Sequence, residues 1–219
     1  EKKLQWWQKL PVSLLFLGTI LHTPITSAAF QLVTCRFVGD QRRMLLDLNR
    51  NCADADVSGL QYAVALPALI VFSIGFPAFL AFGIWRERDR LQDEDVRRVW
   101  GFAYGGLNET AFFWESVVMV RKVFLLATTV FLAPYGPLVQ TASDMAVMIV
   151  FSMIHAHVHP YYDDAYNLLE SASLASVSLT MVANVYLEAA GNDGPLSGAA
   201  ATLIFIVNVG LILAALSVI

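Results

Sequence analysis

Long apolar segments without a single charged residue constrain the fold of this chain more than any other feature. Three of them cover residues 10–34, 59–85 and 195–219. Each can cross a hydrocarbon core of about 30 Å, which takes about 20 helical residues. The chain is 57% hydrophobic and only 15% charged, which excludes most soluble fold classes. The sequence predicts an all-α, polytopic membrane helical bundle.

The middle of the chain is predicted to contain three more spans. The motif Ala133-Pro134-Tyr135-Gly136-Pro137 is a turn signature that cannot lie inside a lipid-facing helix. Two helices therefore meet there, at about 113–133 and 138–158, and a fifth span follows at about 167–187. We expect one transmembrane helical domain over residues 1–219 with about six spans.

The distribution of Lys and Arg predicts the orientation of these spans. Residues 1–9 and 86–98 carry eight cations together, whereas the loop after the first span carries four. Because cytosolic loops are enriched in Lys and Arg, we predict that both termini are cytosolic. A cleaved signal peptide is the alternative interpretation of the first segment, but its length favours a retained span.

Cys35 and Cys52 both fall in the loop predicted to lie outside the cell, where oxidising conditions permit a disulfide. Closing a loop of roughly 15 residues stabilises a protein by about 3 kcal/mol in the chain-entropy model. The alternative is two unpaired thiols. We predict the disulfide.

The segment 86–98 on the predicted cytosolic side alternates in charge. Its five arginines are offset by five acidic residues, so it is not a polybasic lipid sensor. Two structures are compatible with this pattern, namely a continuation of the second helix into water or a short surface helix.

Ionisable residues within or beside the spans form a predicted charge network. Such residues are costly in lipid and usually face the interior of a bundle. The network comprises Glu115, Arg121, Lys122, Asn167 and Glu170, in which Glu170 is a candidate partner of either cation. The alternative is that Arg121 and Lys122 extend to the headgroups while Glu115 sits at the interface.

Four further polar residues lie within or beside the spans. Asp144, inside the fourth span, is a candidate ion or polar site, with a hydrogen-bonded structural role as the alternative. His22 is interpreted as a hydrogen-bonded bundle residue beside Pro24. His155 and His159 have a spacing that metal sites use, but Pro160 ends the helix at once, so no metal site is predicted.

Catalytic and nucleic-acid-binding functions are not indicated. The sequence contains no GxSxG, Walker or GxGxxG motif, so we expect neither an enzyme nor a cofactor. The formal charge is −4 and no basic cluster is interleaved with aromatic residues, so we expect no nucleic-acid partner.

An ordered set of motifs resembles the polytopic C-terminal module of large multidomain surface proteins of algae, oomycetes and ciliates. That module is distantly similar to TRP and polycystin-type channels. The resemblance covers residues 23–187, and its landmarks are Cys35, Leu45, Cys52, Pro67, Gly75-Phe76-Pro77, Tyr104-Gly105, Phe113-Trp114-Glu115, Arg121-Lys122, His159-Pro160-Tyr161 and Asn167-Leu168-Leu169-Glu170.

This resemblance implies a multi-pass anchor in the plasma or ciliary membrane that tethers a large extracellular structure, such as a cell-surface appendage. Its implied partners are membrane lipids, its own extracellular region or an extracellular fibrous assembly, and a polycystin or TRP-type channel. Because the chain begins at Glu1 and ends inside an apolar segment, we expect it to be the C-terminal part of a larger surface protein.

Two other functions remain open at this point. A cation-channel subunit, gated mechanically, is the first alternative, although the stretch 188–196 is too short for a pore helix and filter. Glu188 and Asp193 could line a vestibule only if chains assemble around the sixth helix. A small-solute transporter is the second alternative, but it needs matching helix breaks in two halves, and the fifth span has no counterpart to the breaks in the second.

Overall fold

The computed structural model describes residues 6–190 and 197–218, and within them the chain is all-α apart from one short hairpin. Three single 3₁₀ turns join the helices, at Arg88–Arg90, Glu109–Ala111 and Ala133–Tyr135. The helices of more than ten residues are α1 (Trp6–Val33), α2 (Ala55–Arg86), α3 (Glu94–Tyr104), α4 (Trp114–Phe131), α5 (Pro137–Val158), α6 (Asp164–Ala190) and α7 (Ser197–Val218).

Four of these helices are long and apolar enough to cross a membrane. The spanning stretches are Val12–Val33, Ala55–Arg86, Pro137–Val158 and Asp164–Ala189. The prediction of an all-α chain with several helices long and apolar enough to cross a membrane is thereby confirmed. Residues 195, 196 and 219 of the predicted sixth span lie outside the described residues.

The chain divides into two compact units, residues 1–130 and 131–219. Unit 1 contains α1, α2, α3 and most of α4, together with the hairpin. Unit 2 contains α5, α6 and α7. The predicted turn at 133–137 is present, because α4 ends at Phe131 and Gly136 adopts a positive φ of 95° just before α5.

A two-stranded antiparallel hairpin follows α1 in unit 1. Strand β1 (Cys35–Val38) pairs with β2 (Gln41–Met44), and Cys35 lies opposite Met44. The two-residue turn places Gly39 first with a φ of 61°, the position that favours glycine in tight hairpins. The buried side chains beneath the hairpin are Leu32, Met44, Val57 and Ala65.

Helix α2 is continuous but contains two π-helical stretches, Gln61–Ala65 and Leu69–Gly75. The stretches flank Pro67 and precede Pro77. Proline has no N–H to donate to the preceding turn, so the local backbone must rearrange its hydrogen bonds. The Gly75-Phe76-Pro77 break in the sequence is thus accommodated inside a helix rather than ending it.

Helix α3 confirms the surface-helix alternative for the segment after the second span. Its buried residues Val96 and Ala103 pack with Ile84 and Leu91, so the helix is tied back onto the end of α2. The ring of Trp100 fills the space left by the missing side chain of Gly83.

Candidate functional site

The interface between α1 and α2 in unit 1 is a seam of small and polar side chains. Gly18, His22 and Thr26 recur every four residues of α1 and therefore share one face. His22 and Thr26 are fully buried, and Ser73 of α2 donates a hydrogen bond to the Thr26 hydroxyl at 3.1 Å. The ring of Phe76 lies where a Cβ on Gly18 would clash. Small residues and interhelical hydrogen bonds are what holds helices together in lipid.

His22 lies against the part of α2 that Pro77 deprives of hydrogen bonds. In a regular helix the N–H of residue 77 would bond to the carbonyl of Ser73, or to that of Phe72 in a π turn. The backbone carbonyls of Ser73 and Phe72 both lie near the His22 imidazole. Among the described residues, however, neither ring nitrogen of His22 forms a hydrogen bond. His22 is buried between helices, as predicted. The hydrogen bond predicted for its imidazole is not formed among the described residues.

The predicted charges of α4 lie in the same unit. Glu115, Arg121 and Lys122 are each half-buried rather than fully exposed. That they belong to one charge network stays a prediction.

The turn between α5 and α6 in unit 2 is built around Asn167, a predicted site residue. Asn167 is buried and its side-chain amide brackets the backbone of Tyr161. Its Nδ2 donates to the Tyr161 carbonyl at 2.8 Å, and its Oδ1 accepts from the Tyr161 N–H at 3.1 Å. The Asp163 carboxylate accepts from the Ala165 N–H at 2.9 Å and so caps α6.

Glu170 and His155 complete this turn. The Tyr161 hydroxyl donates to the Glu170 carboxylate at 2.5 Å, and the buried His155 imidazole lies 3.1 Å from the Asn167 carbonyl through Nε2. His159 ends α5 in the left-handed region with a φ of 46°. Two members of the predicted charge network, Asn167 and Glu170, therefore share a partner within unit 2. The pairing of Glu170 with Arg121 or Lys122 stays a prediction.

A polar contact between α6 and α7 was not anticipated from the sequence. The Ser176 hydroxyl donates to Asn208 Oδ1 at 3.2 Å, and Asn208 Nδ2 lies 3.5 Å from the Thr180 hydroxyl. Asn208 is the one amide side chain in the apolar sequence of α7, and this is the signal that could have revealed the contact.

Asp144 is half-buried on α5, one helical turn from Thr141. Thr141 lines a polar cavity of about 360 Å³ at the start of α5 and the end of α6, together with Gln140, Asn184 and Glu188. Among the groups proposed from sequence for a vestibule, Glu188 therefore lines a cavity, whereas Asp193 lies outside the described residues.

The predicted disulfide between Cys35 and Cys52 is formed and confirmed. It ties the first hairpin strand to the segment that leads into α2. The N–H of Cys52 donates to the Arg42 carbonyl at 2.9 Å, and Arg50 pairs with Asp56 at 3.1 Å. Covalent and polar contacts thus close the whole loop over the ends of α1 and α2.

These contacts join helices to one another within each unit. In the part of the chain that the structure describes, no three His, Cys, Asp or Glu side chains lie close enough to hold a metal ion. The buried polar groups instead bridge α1 with α2, α5 with α6, and α6 with α7.

Comparison with known proteins gives one informative similarity. The chain is 28% identical over 127 residues to cysteine repeat modular protein A of Toxoplasma gondii. The similarity covers 55% of this chain but only 4% of that relative, so the chain spans a small part of its length. No protein-family model matches the sequence, and no solved structure matches it.

Proposed function

We propose that this chain is a non-catalytic, multi-pass membrane anchor and assembly module that tethers a large extracellular structure to the plasma or ciliary membrane. In this proposal α4 and α7 cross the bilayer as well, which gives six spans with cytosolic termini. Helix α4 has 18 residues, enough to span most of the hydrocarbon core, and α7 contains the apolar stretch Thr202–Leu216.

The short connection between α6 and α7 carries the proposal. Helix α6 extends to Ala190 and α7 begins at Ser197, so only six residues separate the last two spans. A re-entrant helix of two turns followed by a filter takes about a dozen residues. A complete TRP-like pore at this position is therefore disfavoured, despite the resemblance in sequence.

The polar and covalent contacts within each unit suit a tether. A load applied to the extracellular hairpin would pass through Cys35–Cys52 into both α1 and α2 rather than into one strand. The Toxoplasma relative is named as a modular cysteine-repeat protein, and the similar segment is a small fraction of it. We infer that the present helices likewise serve a much larger assembly, either an extracellular region of the same protein or a separate fibrous one.

Single-channel recording tests the proposal. The purified chain, shown by circular dichroism to be helical, is reconstituted alone in planar bilayers, and we expect no unitary currents. Cation currents that vanish in Asp144→Asn would overturn the anchor function. A photo-reactive residue at the exposed position 37 of the hairpin provides the positive arm, because a tether predicts a cross-link to a high-mass extracellular protein.

A cation-channel subunit is the second candidate. It is favoured by the polar cavity at the ends of α5 and α6, since Gln140, Thr141, Asn184 and Glu188 offer the oxygen ligands that hard cations prefer. A partner of polycystin or TRP type would then complete the pore. Currents that appear only after co-reconstitution with such a channel would support this candidate over the simple anchor.

A further inference from the structure

A second cavity, of about 470 Å³, lies in unit 1, at the edge of the membrane if α2 and α4 both cross the bilayer as in the proposed function. It is formed by α3 and by the loop that leads from α3 to α4, and its polar lining residues are Gln92, Arg97, Tyr104, Asn108 and Glu109. The apolar span α2 ends at Arg86 and α4 begins at Trp114. Because the cavity-forming segment connects the same ends of two spans, it lies at the level of lipid headgroups in either orientation of the protein.

The cavity is preformed by packing. Trp100 anchors α3 on α2 at Gly83, and the Tyr104 hydroxyl donates to the Leu91 carbonyl at 2.7 Å across the base of α3. Phe112 packs against the same apolar cluster from the loop side. A ligand would therefore not have to order this segment, which lowers the entropic cost of binding.

Two opposite charges line the cavity without neutralising each other. Among the described residues, neither Arg97 nor Glu109 has an ion-pair partner within 4.0 Å. The adjacent Arg98, by contrast, is paired with Glu94 at 2.7 Å. Arg97 and Glu109 thus both line the cavity, one as a cation and the other as an anion.

From this juxtaposition we infer that the cavity binds the headgroup of a phospholipid that carries a primary amine, such as phosphatidylethanolamine. The inference rests on the membrane embedding of α2 and α4 in the proposed function. The Arg97 guanidinium binds the phosphate, for which its planar set of donors is suited. The Glu109 carboxylate accepts from the ammonium group, with Gln92 as a neutral neighbour.

Headgroup chemistry separates this lipid from its competitors. Phosphatidylcholine has the same phosphate, but its quaternary ammonium has no N–H to donate to Glu109. Anionic lipids would need a protein segment with net positive charge. Segment 86–98 has none, because its five arginines are offset by five acidic residues. The volume of about 470 Å³ lies within the range of small-molecule sites.

Binding of short-chain lipids to the full chain in detergent tests the inference. We expect dihexanoyl-phosphatidylethanolamine to bind about tenfold more tightly than the choline lipid, and Glu109→Gln to abolish that preference. Arg97→Gln should weaken both lipids, while the matched variant Arg98→Gln should change neither. Circular dichroism of each variant verifies folding, and all three substituted side chains are exposed, so folding should be retained.

Three outcomes with lipids would overturn the inference, and one with a soluble headgroup. They are equal binding of the ethanolamine and choline lipids, a preference that survives Glu109→Gln, and tighter binding of phosphatidylserine that depends on Arg97 alone. Soluble glycerophosphoethanolamine that bound as tightly as the lipid would also overturn it, since the site would then take a free phosphoamine. This test measures lipid binding, whereas the anchor function is tested by ionic current. A failure of the lipid inference can therefore be told apart from a failure of the anchor function.

Discussion

Removing the side-chain amide of Asn167 should destabilise unit 2 more than any other single polar truncation at the α5–α6 turn. Asn167→Ala deletes the two hydrogen bonds that bracket Tyr161, at 2.8 and 3.1 Å, in a position that is only 6% exposed. Each bond contributes about 0.5–1.5 kcal/mol, and the Tyr161 N–H and carbonyl would lose their partner. We expect a loss of about 2–3 kcal/mol in the free energy of unfolding.

The neighbouring residue supplies a matched control. Leu168 is 71% exposed, so Leu168→Ala removes a side chain of similar size without removing a polar contact. Both variants are unfolded with SDS in mixed micelles and followed by circular dichroism and tyrosine fluorescence. If Asn167→Ala is no more destabilised than Leu168→Ala, the clamp on Tyr161 does not hold the turn and the reasoning is refuted.

A double-mutant cycle tests the second contact of the same turn. The Tyr161 hydroxyl and the Glu170 carboxylate are 2.5 Å apart, as in a charge-assisted hydrogen bond. Tyr161→Phe and Glu170→Gln, measured singly and together in the same SDS titration, should show a coupling energy of about 1 kcal/mol. Additive effects would mean that Glu170 draws its stabilisation from another group.

Three further predictions concern unit 1. The Cys35–Cys52 disulfide closes a loop with a sequence separation of 17, so its reduction should lower the free energy of unfolding by up to about 3 kcal/mol. An SDS titration that does not change after reduction would contradict this. Gly83→Ala should cost about 1–3 kcal/mol because its Cβ would lie 2.4 Å from Trp100, and Trp100→Leu in the same chain should recover part of the loss. Burial raises the pKa of Tyr104 above its ordinary value of 10.0, against an opposing effect of Arg97. The folded state therefore holds the phenolic proton of Tyr104 more tightly than the unfolded state does, so the free energy of unfolding should fall as the pH rises above about 10. This fall should be less steep in Tyr104→Phe. Identical pH profiles of the two proteins would contradict the raised pKa of Tyr104.

The helices were predictable because a bilayer imposes a simple requirement on sequence. A membrane-spanning helix must form all its backbone hydrogen bonds internally and must present apolar side chains to lipid. The hydropathy of the sequence and the positions of its prolines reveal where both conditions can be met. The prediction of 138–158 corresponds to α5 at Pro137–Val158, and that of 113–133 to α4 at Trp114–Phe131. The disulfide was predictable as well, because only two cysteines exist and both fall in one loop.

The tertiary structure alone decided which polar groups meet. Within unit 2 Asn167 and Glu170 both contact Tyr161, a partner that the sequence analysis did not name for either residue. Hydropathy fixes where a helix lies along the chain, but the rotation of each helix and the path of its turns select the partners. The seam of Thr26 with Ser73 follows in the same way from how α1 and α2 face each other, since side chains 47 residues apart carry no mutual signal in sequence.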